Sequence, residues 1–373
     1  LYSLTNSGIP FLIKELSVFK SLLREAPIKV SVIPSYLEGA LGSATHFGSN
    51  RVIKAAFGEQ IERTSLYLNA GNFKNRYVKS FDLRKFEESY VPLEKIVHCY
   101  HTRVLEDYLD KDTAYNDSCG VASHIRSFET INSAFLEFFE RQSLIHNWLT
   151  ESPGKQIDLK SISSEKVIYL IKKAKNFIDD IYFFDISLHP DVSVILTLGF
   201  GERYMGMGIS ANWGMEKAIV SSLEEFFEFF STSPHKDFAK SNEEKSPDYE
   251  GDRSSDPHFY AHTFFSTYDS KKLREVYSYL FDKSKSIDYC CSEDIDFNYI
   301  ESIRTICTTL NLDIQLVFIP SVIKNLPTKI VKVVSLNGYP HMLTTFLEPT
   351  DYIYSSSLNV SRFPNRGRAL PFP

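Results

Sequence analysis

One spacing, repeated three times, constrains this 373-residue chain more than anything else in it. Ala55 to Arg63 reads A-A-F-G-E-Q-I-E-R, Ser133 to Arg141 reads S-A-F-L-E-F-F-E-R, and Ser221 to Phe229 reads S-S-L-E-E-F-F-E-F. The shared pattern puts two glutamates three residues apart: Glu59/Glu62, Glu137/Glu140 and Glu225/Glu228. Around the second copy, Ala134, Phe135, Phe138, Phe139 and Ile145 recur at helical spacing, so each copy is expected to be a helix. Like charges one turn apart repel by a few tenths of a kcal/mol in water and by more when desolvated. A cation is therefore expected at each pair.

The second and third copies also share their approach. Gly120-Val-Ala-Ser-His124 and Gly208-Ile-Ser-Ala-Asn212 each begin 17 residues before the first glutamate of their pair. The first copy reads as having a shorter approach, from Gly48. Six carboxylates on three such helices can converge into one anionic site. Hard cations such as Mg²⁺ take oxygen ligands and bridge a few carboxylates to nucleotide phosphates. Arg63 and Arg141, which directly follow the second glutamate of their pairs, suit the remaining phosphate oxygens. The competing reading, a surface helix with local pairs such as Glu59 to Arg63, fits any single copy; three copies on Phe-rich helices favour the metal-phosphate site.

The rest of the chain excludes more than it adds. A net charge of −6 argues against a nucleic-acid-binding surface. Five cysteines with no repeated C-x-x-C fit a reducing cytoplasm better than a disulfide framework. No apolar run approaches the ~18 residues of a membrane span, and the first residues do not resemble a signal peptide. There is no G-x-x-x-x-G-K-[ST] and no H-E-x-x-H, and G-I-S-A-N breaks the nucleophile-elbow pattern at its last position. Leu198-Gly-Phe-Gly-Glu-Arg lacks a third glycine in register. The pairs His98/His101 and His258/His262 have soft-metal spacing but read more simply as core or loop residues.

In chain order, periodicity predicts a helix at 9–23, a strand at 28–33, a Gly/Ser-rich loop at 39–50, and strands at 77–81 and 97–105. A helix at 161–179 precedes strands at 181–186 and 192–199, the latter apolar enough to be buried on both faces. The stretch 237–256 is polar and reads as an exposed loop. Helices at 273–281 and 300–310 and strands at 314–319 and 330–336 follow, then an irregular tail ending A-L-P-F-P.

At these residues the chain resembles the YcaO family, whose signature is an A-x-G-E-x-x-E-R helix, then S-N-G-x-A with A-L-x-E-x-x-E-R, then A-x-x-E-x-x-Q, and a proline-rich C-terminus. Here the matches are Ala55 to Arg63, Ser118-Cys-Gly-Val-Ala122 with Ala134 to Arg141, Ser222 to Glu228, and Pro371-Phe-Pro373. Cys119 stands where the family has Asn, Glu228 where it has Gln, and Ala369 where a fuller P-x-P-F-P has Pro; no G-K-G is recognisable near Phe47-Gly48. Within the family the chain is most similar to the YcaO subunit of microcin-type azole peptide synthetases.

The resemblance implies an α+β YcaO-type fold, with layered β-sheets and carboxylate-bearing helices around a central nucleotide site. It divides the chain into an N-terminal segment, 1–38, expected to contact a partner, and a catalytic domain, 39–373. It implies ATP and Mg²⁺ as cofactors, with Glu59, Glu62, Glu137, Glu140, Glu225 and Glu228 at the metals and Arg63, Ser118 and Arg141 at the nucleotide. Arg253, in the polar loop, is a candidate lid residue, and Pro371, Phe372 and Pro373 are candidates for ordering the substrate amide. The implied activity is ATP-dependent cyclodehydration of Cys, Ser or Thr in a ribosomal precursor peptide. The implied setting is a cytoplasmic hetero-oligomer with a leader-binding protein and a flavin-dependent azoline dehydrogenase. A thioamide-forming enzyme of the same family and a nucleotide-binding scaffold subunit are the alternatives.

Overall fold

The computed structural model describes residues 2–4, 10–20, 28–34, 41–47, 49–70, 77–96, 117–228, 264, 267–290, 298–321 and 327–372. The N-terminal part is an antiparallel meander of β1 (Tyr2–Leu4), β2 (Pro10–Lys20), β3 (Ile28–Pro34) and β4 (Gly42–His46). This corrects two expectations. The helix expected at 9–23 is the strand β2 wherever it is described, and the loop expected at 39–50 contains β4. Ile13 to Lys20 pair along β3 with one bulge, so their backbone groups are satisfied across the sheet and not within the segment. Leu16, counted on the buried face of a helix, is 48% exposed.

Next come α1 (Ser49–Ala70), the hairpin β5 (Tyr77–Asp82) and β6 (Glu87–Pro92), then β7 (Val121–His124) and α2 (Ser127–Thr150). After these lie β8 (Lys155–Ile157), α3 (Glu165–Ala174), β9 (Asp180–Asp185), β10 (Ser193–Phe200), β11 (Met205–Asn212) and α4 (Met215–Phe226). The last described third holds α5 (Ser270–Val276), α6 (Ser278–Lys283), β12 (Lys285–Ile287), α7 (Tyr299–Thr309), β13 (Ile314–Ile319) and β14 (Lys329–Ser335). The helix expected at 161–179 shortens to α3, and the one at 273–281 is interrupted at Tyr277. The expected strand at 97–105, the polar loop at 237–256 and both histidine pairs lie outside the described residues.

Two five-stranded sheets form the body, ordered β6-β5-β13-β14-β7 and β11-β10-β9-β8-β12. Alternate residues of a strand face opposite sides, and here both sides are core. On β10, Val194, Leu196, Leu198 and Phe200 join the core around α2, while Ile195 joins the core under α3 and α4. On β13 and β14, Leu316, Val331 and Val333 face α2, while Val317, Ile319 and Ile330 pack with Ile61 and Leu66 of α1. α2 is thus enclosed between the sheets, with Phe135, Phe138 and Phe139 buried; each contributes about 1.5–3 kcal/mol. Among the described residues no helix is long and apolar enough to cross a membrane.

Three strand-helix units, β4–α1, β7–α2 and β11–α4, organise the centre. Each helix packs on its own strand and on the strand of the next unit: α1 on β4 and β7, α2 on β7 and β11, α4 on β11 and β4. The units close into a ring.

Candidate active site

The three units are equivalent down to single residues. Gly42, Gly120 and Gly208 lie in or beside their strands, each 17 residues before the first glutamate of its helix. A Cβ on Gly42 would sit 2.1 Å from the Ala56 carbonyl oxygen, and one on Gly208 would sit 2.1 Å from that of Ser222. Only glycine lets helix and strand backbones approach this closely. The first unit's approach is therefore Gly42-Ser-Ala-Thr-His46, as long as the other two, and not the shorter one expected from Gly48. The signal was the common glycine-to-glutamate spacing.

This packing aims the first glutamate of a pair at its own strand. Ser43 N donates to Glu59 Oε2 (2.6 Å) and Ile209 N donates to Glu225 Oε2 (2.6 Å). In the middle unit Val121 N turns to Ser118 O instead (3.3 Å), within the loop that carries Gly120 at φ 73°. The second glutamate reaches the next unit. Glu62 accepts from Ser123, and Glu140 accepts from Ala211 N (3.1 Å). Ser123 and Ala211 both lie three residues after their unit's glycine.

The six carboxylates form a closed circuit of repulsion. Glu59 acts on Glu62, Glu62 and Glu140 on Glu137, Glu140 on Glu225, and Glu228 on both Glu225 and Glu59. Burial is the main cause that lifts the proton affinities of Glu59, Glu62, Glu137, Glu140 and Glu225, and neighbouring carboxylates add to it for all of these but Glu140. Glu62 and Glu225 are each pushed up to about 8, Glu137 is raised well above the carboxylate range, and Glu59 and Glu140 are raised as well. Arg63 meets Glu59 at 2.7 Å and donates to Leu41 O at 2.6 Å; Arg141 meets Glu140 at 3.4 Å. Burial opposes the charge of Arg141, yet Glu140, Glu225 and Glu137 hold its proton affinity above the ordinary value. Glu59 and Arg63 each keep 30% of their side-chain surface exposed, so the ring is reachable from solvent.

Asp117, to which motif matching assigns no role, braces the loop before the middle unit. Its carboxylate accepts from Cys119 N (3.0 Å) and Met342 N (2.9 Å), and Lys332 Nζ donates to its backbone oxygen (2.6 Å). Burial works against its ionised form, but Lys332 and these N–H groups hold Asp117 below the usual range. The loop with Ser118 and Cys119 is thereby tied to the C-terminal region. The tail itself returns to α2. Phe372 is buried with the Arg141 guanidinium 5.1 Å from its ring centroid, and Tyr277 OH donates to Pro371 O (3.1 Å). Asn365 Nδ2 and Trp148 Nε1 add bonds between tail and helix.

The structure thus brings together Glu59, Glu62, Arg63, Glu137, Glu140, Arg141, Glu225 and Glu228, with Phe372 beside Arg141 and Pro371 next to it in the tail. Ser118 lies in the loop before β7, next to Cys119, whose thiol senses Arg141 and Glu137. Arg253 and Pro373 lie outside the described residues. Sequence reasoning missed Gly42, Asp117, Lys332 and Lys29, whose Nζ lies 3.1 Å from Glu228.

Among the described residues no three His, Cys, Asp or Glu side chains are already gathered around one point to hold a metal. The donor set still fits Mg²⁺ with a polyphosphate. Mg²⁺ retains water and is held by one or two carboxylates plus phosphate oxygens, not by an all-protein cage. Burial, with neighbouring carboxylates adding to it at several positions, disfavours the ionised forms of these groups, and a divalent cation beside them would favour ionisation again.

A partly buried ring of hard oxygen donors flanked by arginines, on an α+β frame of sheets and enclosed helices, defines a phosphate- and divalent-cation-binding protein. The YcaO cyclodehydratase, ATP- and Mg²⁺-binding family model matches residues 54–305, and the chain belongs to that family. The microcin B17-processing protein McbD of Escherichia coli is 27% identical over 165 residues, spanning 42% of this chain and 40% of McbD. The fold is the YcaO fold. A chain of the E. coli microcin synthetase McbBCD complex superposes with a TM-score of 0.67 at 18% identity, covering 96% of each chain. The YcaO protein of Methanopyrus kandleri bound with AMPPCP and Mg²⁺ superposes at 0.63 with 13% identity, covering 88% of this chain and 86% of its own.

Proposed function

We propose that this protein is the ATP-dependent cyclodehydratase subunit of a microcin-type azole peptide synthetase. Its substrate is a ribosomal precursor peptide, in which Cys, Ser or Thr side chains close onto a neighbouring amide with net loss of water. The observation that carries this reading is the closed circuit of six carboxylates on three equivalent units. Bound MgATP would supply the phosphoryl group that turns a poor leaving group, the amide oxygen, into a good one.

Each residue then has a task set by its surroundings. Glu59, Glu62, Glu137, Glu140 and Glu225 hold the metal ions as carboxylates. Arg63 and Arg141 bind phosphate oxygens and stabilise charge developing on them. Phe372 covers Arg141 and fixes its plane, while the tail and Tyr277 exclude water from that side. Asp117 holds the Ser118–Cys119 loop in register with the ring.

The proposed setting is a cytoplasmic hetero-oligomer. Recognition of the precursor's leader and oxidation of azoline to azole fall to partner chains, a leader-binding protein and a flavin-dependent dehydrogenase. Residues 1–38 are the proposed contact with them, joined to the catalytic domain, 39–373, through the sheet that β4 shares with β1, β2 and β3. McbD and the McbBCD complex are the relatives that favour such an assembly.

The test is product mass after incubation with precursor peptide, partner chains and MgATP. Loss of water per modified residue is expected. Replacement of oxygen by sulfur would assign the thioamide branch instead, and an unchanged mass with a competent partner set would leave only a nucleotide-binding scaffold.

A further inference from the structure

The three glutamate pairs do not obtain their cations in the same way. Arg63 and Arg141 follow the second glutamate of their own helices, but the residue after Glu228 is Phe229. The third cation comes from another part of the chain. Lys29 of β3 reaches across from the N-terminal sheet and pairs with Glu228 at 3.1 Å. Its side chain keeps 12% of its surface, against 32% for Glu228, so the ammonium is held inside the rim. Its charge also acts on Glu59.

The position of Lys29 follows from the ring. Glu62 bonds Ser123 and Glu140 bonds Ala211, each three residues after its unit's glycine. The matching position in the first unit is Thr45. Lys29 and Thr45 are direct cross-strand partners, and such partners present their side chains on one face of the sheet. At the third junction Lys29 therefore takes Glu228, and the Thr45 hydroxyl beside it is buried without a hydrogen-bond partner among the described residues. A buried hydroxyl left unsatisfied is destabilising, and an anionic oxygen held by Lys29 would satisfy it.

We propose that Lys29 is a phosphate-binding residue of this site, delivered by the N-terminal sheet and anchored by Glu228, so that Glu228 serves as its counter-ion and not as a metal ligand. The third unit thus receives from β3 the cation that the other two carry on their own helices. The proposal rests on the MgATP assignment of the ring and goes beyond it in naming the residue and the exchange of partners. When phosphate binds, Lys29 shares its donors between the phosphate and Glu228, and no bond is made or broken.

The experiment is calorimetric titration of MgATP, and of adenosine, into the full chain, with thermal melts as the control for folding. The variants are Lys29→Met, Glu228→Gln and the double variant, in which no charge is left unpaired. Wild-type protein should bind MgATP. Lys29→Met and the double variant should both lose roughly ten- to a hundredfold in MgATP affinity, with adenosine affinity unchanged. Glu228→Gln should lose less, because Lys29 remains. If Lys29 serves only to neutralise Glu228, the double variant will bind MgATP as wild type does, and that result overturns the proposal even if Lys29→Met alone fails to fold. Equal losses for adenosine and MgATP would also overturn it. Absence of MgATP binding by wild type would remove the nucleotide assignment itself, and the inference with it.

Discussion

The second and third strand-helix units carry the same glycine, the same spacing and the same glutamate pair, yet they complete the site by different means. α2 runs for 24 residues and is enclosed between two sheets. Its second glutamate lies inside the helix, its arginine is the next residue, and that arginine stacks on Phe372 of the tail. α4 ends at Phe226 with a turn at Phe227, and Glu228, just past that turn, borrows its cation from β3. One unit is self-contained. The other is assembled from segments about two hundred residues apart in sequence. Where chemistry is carried on one helix, a local substitution should act on the site alone; where it is assembled, it should also loosen the contact between the N-terminal sheet and α4.

The largest effect is expected in the self-contained unit. Glu137→Gln should abolish ATP turnover, a loss on the order of a hundredfold or more, while the ligand-free protein becomes no less stable because one member of a repelling cluster is neutralised. Turnover assays paired with thermal melts check both halves. Unimpaired turnover would remove Glu137 from the metal set.

Gly208→Ala should come next. Its Cβ would meet the Ser222 oxygen at 2.1 Å, and forcing α4 off β11 should destabilise the fold by about 1–3 kcal/mol. Gly42→Ala, 2.1 Å from the Ala56 oxygen, should cost a similar amount if the units are equivalent. Chemical denaturation measures both, and unequal penalties would break the equivalence.

Phe372→Ala should have a smaller effect on nucleotide affinity, because a cation-π contact at a partly desolvated site is worth about 0.5–2 kcal/mol. Titration of MgATP into this variant gives the value.

The smallest effect is on pH dependence. Glu62 and Glu225, raised by burial to about 8, bind more protons folded than unfolded, so their contribution to stability is lost as pH rises toward 8. His146 and His341, lowered by burial to about 4, act in the opposite sense only up to their ordinary value of 6.5. Between pH 6.5 and 8 the raised carboxylates set the sign among the described residues, and the melting temperature of the ligand-free chain should fall across that window. Saturating Mg²⁺ and nucleotide should flatten the fall. A melting temperature that rises instead would contradict the buried carboxylates.

The contrast also explains what the sequence revealed. The glutamate pairs, Arg63, Arg141 and the doubly buried strands β10, β13 and β14 are written in contiguous residues, so spacing and hydropathy expose them. Lys29 and Asp117 act across the fold, and no local pattern marks them. β2 reads as a helix because Leu12, Leu16 and Phe19 recur at helical spacing, while pairing with β3 decides its conformation. Gly42 escapes a local reading because the Gly/Ser-rich run 39–50 looks like a loop, although its distance to Glu59 matches that of the other two glycines to their glutamates. Tertiary pairing, invisible in one segment read alone, accounts for each of these.

The central claim is that a ring of carboxylates takes phosphate only together with divalent cations. Calorimetric titration of ATP at pH 7.5, with Mg²⁺ and again with a chelator, tests it most directly. The expected result is binding with proton release when Mg²⁺ is present, as Glu62 and Glu225 ionise onto the metal, and loss of binding in the chelator, where the phosphates would face the bare carboxylates. Equal affinity in both, with no proton release, would contradict it.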